Sequence, residues 1–142
     1  MLQYRRYSFG KNERLCLRND IENVIRNGKK KLSYPFLVNY VIKDAQDNAA
    51  TTKIAISVAK RNFKKAVDRN LLKRRIREAY RQHKHNLAEI ACKKNKVVNA
   101  IIVYVSKEKL PYAEIEQGII KSLENLAKSI EKISDISIDS AD

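Results

Sequence analysis

The segment AVDRNLLKRRIREAYRQHK, residues 66–84, spaces its cations and its apolar side chains as a single helix would. At about 100° per residue, one arc of that helix is basic and the opposite arc is apolar. The basic arc holds Arg69, Asn70, Lys73, Arg74, Arg77, Arg81 and Lys84. It contains no acid, and its like charges repel one another unless a partner neutralises them. The segment therefore predicts a helix that packs on a core and presents cations to a polyanion.

Two other interpretations of this helix stay open. A run of charges often forms no more than a solvated helix face. A basic amphipathic helix also binds anionic membrane surfaces, but the apolar arc lacks Trp and Phe, and strands are predicted on both sides. A packed domain that binds nucleic acid is the favoured interpretation.

The whole chain has the charge of a polyanion-binding protein. Its 142 residues include 30 Lys and Arg against 16 Asp and Glu, for a net charge of +14. Residues 53–84 hold twelve of these cations and only two acids, whereas residues 109–142 hold four Lys and seven acids. We therefore expect the partner to meet the N-terminal part and the middle of the chain. The length and the 44% apolar content predict one globular domain.

Several function classes are disfavoured by what the sequence lacks. The longest apolar run, Ala100–Val105, is far shorter than the ~20 residues of a membrane span, and no secretory signal opens the chain. Cys16 and Cys92 are isolated, and His83 and His85 would point in different directions on a helix. We therefore expect a cytoplasmic protein with no catalytic residue, no metal site and no cofactor of its own.

The remaining patterns predict helices on one sheet, either an α+β or an α/β sandwich. A helix begins near Asn19 and stops at Gly28, because Ile21, Val24 and Ile25 form an apolar stripe. The further predicted elements are a hairpin of strands Tyr34–Ile42 and Lys53–Ala59, a helix Lys65–Ile90, a strand Val97–Val105 and a helix from Pro111. Residues 1–15 are predicted to form a basic arm and residues 134–142 an acidic, disordered tail.

The string Ala66-Val67-x-Arg69-Asn70-x-x-Lys73-Arg74-x-Ile76-Arg77-Glu78 resembles the Arg-Asn signature helix of the bacterial ribonuclease P protein component. The similarity covers roughly Arg14 to Ile130. Weaker similarities lie in Ile56–Arg61 before that helix, in Leu17–Gly28, in Phe36–Tyr40 and in Leu110–Tyr112. The resemblance makes residues 16–133 an RNA-binding domain of this family. It implies a single α+β sandwich with one mainly antiparallel sheet of about four strands and a left-handed βαβ crossover.

The resemblance implies a subunit of a ribonucleoprotein endonuclease. Members of this family assist a catalytic RNA that removes the 5′ leader from precursor tRNA. The RNA holds the required Mg²⁺ and performs the chemistry, so the protein alone is expected to be inactive. The implied partners are the ribonuclease P RNA and precursor tRNA, with no membrane and no obligatory protein partner.

Two sets of site residues follow from the resemblance. The RNA-contacting set is Lys60, Arg61, Arg69, Asn70, Lys73, Arg74 and Arg77. The cleft for the leader, between the first helix and the sheet, is assigned to Ile21, Ile25, Phe36, Asn39 and Tyr40. Family members commonly carry aromatic residues where this chain has Ile21, Ile25 and Asn39. The two isoleucines fit an ordinary core position equally well, and Phe36 or Tyr40 would supply the remaining aromatic ring.

Two other nucleic-acid functions stay as alternatives. A ribosomal protein could use the same basic helix for a different RNA. A DNA-binding regulator would place a short helix and a tight turn before its recognition helix, whereas a strand precedes this one.

Overall fold

The computed structural model describes residues 13–46 and 49–141, with side chains described through residue 132. Within that range the chain forms four helices and four strands. In chain order these are α1 Arg18–Asn27, β1 Lys29–Ser33, β2 Phe36–Asp44, β3 Thr51–Val58, α2 Ala66–His83, α3 His85–Lys93, β4 Lys96–Tyr104 and α4 Tyr112–Ala141. Nearly all of the predicted basic arm, and the side chains of the predicted tail, lie outside the described residues. These two boundaries stay predictions.

The four strands form one mixed sheet in the order β1-β2-β4-β3. Strand β4 is antiparallel to β2 and parallel to β3, while β1 is antiparallel to β2. The predicted α+β fold with a mainly antiparallel sheet is confirmed. The predicted hairpin of β2 with β3 is wrong. Strand β4 is apolar on both faces and lies between them, where most of its side chains are buried.

Strand β1 has no counterpart in the sequence prediction. Its residues KKKLS lack the alternation of polar and apolar side chains that indicates a strand. The strand pairs with β2 through the turn at Tyr34 and Pro35, so that Ser33 lies opposite Phe36. It forms one edge of the sheet, and β3 forms the other.

The parallel strands β3 and β4 are joined through α2 and α3. The predicted helix Lys65–Ile90 is in fact these two helices, which meet at Lys84. The side chain of Lys84 is buried in an ion pair with Glu13, and α3 then directs Leu87 and Ala91 into the core. This connection is the βαβ unit that the resemblance implies. Its left-handed sense stays a prediction.

The sheet separates a large core from a small one. On one face, α2, α3 and α4 bury side chains such as Leu72, Ile76 and Ile119 against Phe36 and Tyr104. On the other face, α1 covers a smaller cluster of Leu15, Val24 and Ile101. The face under α1 therefore buries fewer apolar side chains than the face under α2, α3 and α4.

Two glycines allow helices to approach the sheet closely. A Cβ at Gly28 would lie 2.3 Å from the carbonyl oxygen of Val24 and 3.1 Å from that of Tyr40. A Cβ at Gly118 would lie 2.6 Å from Pro35 Cδ, so α4 can lie against the start of β2. The predicted stop of α1 at Gly28 is confirmed. The helix begins at Arg18, one residue before the predicted start near Asn19, and it has no side-chain cap.

Candidate RNA-binding interface

Helix α2 has the two faces that its sequence predicts. Leu72, Ile76, Ala79 and Tyr80 are buried against the core. Asn70, Arg74 and Arg77 are exposed on the outer face, and Lys73 is half-buried beside them. The core therefore holds one arc of the helix and leaves cations on the other.

Both acids of the basic segment are already paired with other residues. Asp68 Oδ1 lies 3.2 Å from the Nζ of Lys109, which precedes α4. Glu78 accepts hydrogen bonds from Arg81 at 2.5 Å and from Gln82 at 2.7 Å. These bonds hold the pKa of the Glu78 carboxyl below its usual value, Arg81 having the larger effect. Neither carboxylate is left to neutralise the outer face of α2.

The exposed basic surface of α2 is shorter than the basic arc predicted from the sequence. Arg81 belongs to the pair with Glu78, and Lys84 is buried against Glu13. The expectation that these two residues extend the basic face is wrong for Lys84 and weakened for Arg81. Among the described residues, no ion pair involves Lys73, Arg74 or Arg77.

Arg69 has a structural contact that the sequence does not indicate. Its Nη1 donates hydrogen bonds to the carbonyl oxygens of Phe63, at 2.8 Å, and Lys64, at 2.9 Å. These carbonyls lie in the loop that joins β3 to α2 and carries the exposed residues Lys60 and Arg61. Arg69 thus ties the loop to the first turns of α2.

Arg75 lies in the apolar arc and has a different contact. Its Nη1 donates a hydrogen bond of 2.7 Å to the carbonyl oxygen of Leu110. This bond joins α2 to the segment that leads into α4. Arg75 therefore fixes the orientation of α2 on the core rather than adding to its outer face.

Two grooves enlarge the basic surface beyond the residues predicted from sequence. One groove of about 600 Å³ lies between Arg14, the edge of β3, and Lys73 and Arg77 of α2. A second groove of about 460 Å³ is lined by Arg61, Asn62 and Lys107. Sequence reasoning missed Arg14 and Lys107 as neighbours of these cations. Each is distant in the chain from α2, and only the pairing of strands brings them together.

Three of the five residues predicted for the leader cleft lie on the side of the sheet that α1 covers. Ile21 is half-buried against the small cluster, and Ile25 is 59% exposed. Asn39 alternates with Tyr40 and so lies on the same sheet face as Val41, which packs under α1. Ile21, Ile25 and Asn39 therefore share one side of the molecule.

The assignment of Phe36 and Tyr40 to this cleft is wrong. Phe36 is fully buried in the large core, and its ring packs edge-on against the ring of Tyr104 with the two ring centroids 5.8 Å apart. Tyr40 is 9% exposed, and its hydroxyl lies 3.2 Å from Ser129 Oγ on α4. The alternation of side chains along β2 places both rings on the opposite face from Asn39.

Two amide side chains lie in the middle of the face under α1. Asn39 is paired with Ile101 in the register, and Asn99 is paired with Val41, so the two amides are diagonal neighbours. Within the described part of the chain, the Oδ1 atoms of Asn39 and Asn99 are buried and accept no hydrogen bond. This face is thus apolar with unsatisfied acceptors, and the residues that the structure describes place no aromatic ring on it.

The described residues contain neither a metal-binding cluster nor a membrane-spanning helix. They contain no group of three His, Cys, Asp or Glu side chains arranged to hold a metal ion. None of their helices is long and apolar enough to cross a bilayer. What the geometry offers is a surface of exposed cations and, on the face under α1, an apolar cleft that contains two buried amides.

The fold and this surface define a small α+β protein with an exposed basic face, a feature typical of polyanion-binding proteins. Comparison with known proteins gives the particular family. The family model described as Ribonuclease P matches residues 9–128. The chain belongs to the ribonuclease P protein family, whose members are the protein component of that endoribonuclease, with the activity residing in the RNA.

Individual relatives agree with this family. The chain is 35% identical over 124 residues to the ribonuclease P protein component of Porphyromonas gingivalis, covering 87% of this chain and 90% of that protein. It is 31% identical over 128 residues to the corresponding protein of Pseudoalteromonas atlantica, covering 88% and 95%.

Solved structures support the fold. The ribonuclease P protein of Thermotoga maritima superimposes with a TM-score of 0.61 at 23% identity, covering 80% of this chain and 96% of that one. The protein of Staphylococcus aureus gives a TM-score of 0.60 at 21% identity, covering 83% and 97%.

Proposed function

We propose that this subunit binds the catalytic RNA of ribonuclease P through the outer face of α2 and the loop before it. The residues that carry the proposal are Lys60, Arg61, Arg69, Asn70, Lys73, Arg74 and Arg77. The observation that supports it most is that Asp68 pairs with Lys109 and Glu78 with Arg81, so that neither acid neutralises Lys73, Arg74 or Arg77 and these cations are left to phosphates. Such contacts provide affinity and position, and they depend strongly on salt.

The second part of the proposal concerns the substrate. Precursor tRNA places its single-stranded leader along the face that α1 covers, near Ile21, Ile25 and Asn39. In this proposal the Mg²⁺ that cleavage requires is held by the catalytic RNA, as in the family that the signature helix resembles. The compartment is the cytoplasm, where a ribonucleoprotein that matures tRNA meets its transcripts.

The experiment is cleavage of precursor tRNA by a bacterial ribonuclease P RNA at low Mg²⁺, with and without the full chain. We expect no cleavage by the protein alone, and a lower Mg²⁺ requirement when the protein is added. Cleavage by a carefully purified protein without RNA would overturn the proposal, as would RNA-catalysed cleavage that the protein leaves unchanged.

Matched variants locate the interface. Arg74→Ala combined with Arg77→Ala should weaken binding to the catalytic RNA and reduce the slope of log affinity against log salt. Each lost phosphate contact should change the slope by roughly 0.7 to 0.9. Lys121→Ala combined with Lys128→Ala removes the same charge from exposed positions of α4 and should leave the slope unchanged. An equal effect of both pairs would contradict the assignment to α2.

A further inference from the structure

Strand β1 carries a second basic surface at the opposite edge of the sheet from β3. Arg26 near the end of α1 and the three lysines Lys29, Lys30 and Lys31 of β1 are all exposed. We refer to these four residues as the β1 edge patch. Among the described residues, no member of the patch is ion-paired. From residue 23 to residue 43 the sequence contains no acid.

The register places one lysine of this patch at the cleft. Lys30 lies directly opposite Asn39, and directly opposed side chains share one face of a sheet. Lys30 is therefore on the face where Asn39 and α1 lie. On the far side of the same face, Lys53 lies opposite Asn99. Cations thus flank the two amides of the cleft on both sides.

Cations at both edges suit an extended polyanion that crosses the face. Strand β1 is three strand spacings from β3, which corresponds to about 14 Å of sheet. A strand of RNA held near α2 and crossing the cleft would leave it at β1. Single-strand binding proteins combine such a basic track with aromatic stacking. Since Ile21, Ile25 and Asn39 offer no aromatic ring, we expect charge to contribute more than stacking to the affinity for a single strand in this protein.

We propose that the β1 edge patch binds phosphates of the part of the leader that lies farther from the cleavage site. This inference rests on the proposed function of the subunit, and it adds a contact at the opposite edge of the sheet from α2. The competing explanation is that lysines on an edge strand merely prevent edge-to-edge aggregation. That explanation predicts no effect on RNA affinity.

The test uses the complex of the full chain with ribonuclease P RNA. Lys30→Gln combined with Arg26→Gln, here called the β1 variant, removes two charges on the side of the sheet that α1 covers. Lys29 and Lys31 are left unchanged, because they lie opposite Tyr40 and Val38 on the other face of the sheet. Lys93→Gln combined with Lys94→Gln is the matched control, because this adjacent pair is also exposed and lies at the end of α3. Affinity is measured for mature tRNA and for two precursors. One has a leader of about two nucleotides, shorter than a typical single-strand site, and the other a leader of about ten, within the usual range of such sites.

For the β1 variant we expect a loss of about tenfold in affinity for the long-leader precursor at low salt, with a slope lower by about 1.4 for two lost contacts. Mature tRNA and the short leader should bind as with the unmodified chain, and the control should bind all three normally. An unchanged long-leader affinity, or an equal loss with the control or with mature tRNA, would overturn the inference.

Two outcomes separate this inference from the proposed function. If the unmodified chain does not assist cleavage, the proposed function itself fails. If the unmodified chain assists cleavage and the β1 variant binds the long-leader precursor as tightly as the control variant does, only this inference fails.

Discussion

Arg69 Nη1 lies 2.8 Å from the carbonyl oxygen of Phe63, so a residue of the signature helix also fixes the loop that precedes it. The same nitrogen reaches the carbonyl of Lys64 at 2.9 Å. A guanidinium has five N–H donors, so these bonds leave others for a phosphate. Arg69 thereby couples the placement of Lys60 and Arg61 to the helix that carries the other cations.

The first prediction separates this positioning role from simple charge. Arg69→Ala should lower the free energy of unfolding by about 1–2 kcal/mol, because two carbonyls lose a charged donor. Arg74→Ala removes an exposed charge and should change it by less than about 0.5 kcal/mol. Urea denaturation measures both. We also expect Arg69→Ala to reduce the salt slope of RNA binding by more than one contact, since Lys60 and Arg61 lose their fixed position. Equal stability of the two variants would refute the coupling.

The second prediction concerns Lys84 at the junction of α2 and α3. Its side chain is 6% exposed and pairs with Glu13. Lys84→Ala should lower the free energy of unfolding by about 1–3 kcal/mol, less than for a fully buried pair because Glu13 is partly exposed. The salt slope of RNA binding should stay unchanged. A stable variant with a reduced slope would show instead that Lys84 contacts phosphate, as its place in the sequence suggests.

The contrast between Arg77 and Lys84 shows which part of the candidate site can be predicted from the sequence. Helical periodicity correctly places both on one arc, since it depends only on the local 3.6-residue repeat. Whether a cation on that arc is free depends on Glu13, which lies 71 residues away and reaches Lys84 only in the folded chain. Arg77 has no such neighbour among the described residues and remains exposed.

In the sheet, too, local sequence predicts an individual strand but does not predict which strands pair with it. The apolar run of β4 predicts a strand buried on both faces, and that is where the structure places it. Its partners depend on pairing between distant segments, which the pattern of a single strand does not contain. Strand β1 is missed because Lys29–Lys31 follows no alternation. At an edge, lysines on both faces can stay in solvent.

The third prediction concerns Ile25 on α1. At 59% exposure its side chain has room to grow, so Ile25→Phe should fold normally. A ring at this position can stack on an unpaired base, which is worth about 1–3 kcal/mol per base in single-strand binding proteins. We expect the ratio of affinities for precursor and mature tRNA to rise at one fixed salt concentration. A lower ratio with an intact fold would mean that Ile25 does not face the leader.

The fourth prediction tests the correction at Tyr40. Tyr40→Phe removes the hydroxyl that lies 3.2 Å from Ser129 Oγ, and should lower the free energy of unfolding by about 1 kcal/mol. Because the ring points into the large core, the ratio of affinities for precursor and mature tRNA should not change. If that ratio falls while the stability stays the same, Tyr40 belongs to the cleft after all.

The last prediction concerns the buried amide of Asn99, which is 4% exposed and lies opposite Val41. Asn99→Leu keeps the number of side-chain atoms and removes an acceptor that has no partner within the described residues. We expect the free energy of unfolding to rise by about 1 kcal/mol, because a buried acceptor without a hydrogen bond costs free energy. Asn125→Leu is the control. Asn125 donates a hydrogen bond of 2.7 Å to Ser33 Oγ. Because Asn125→Leu removes this bond, it should lower the free energy of unfolding. Chemical denaturation of both variants measures the difference, and destabilisation by Asn99→Leu would mean that its amide is satisfied in solution.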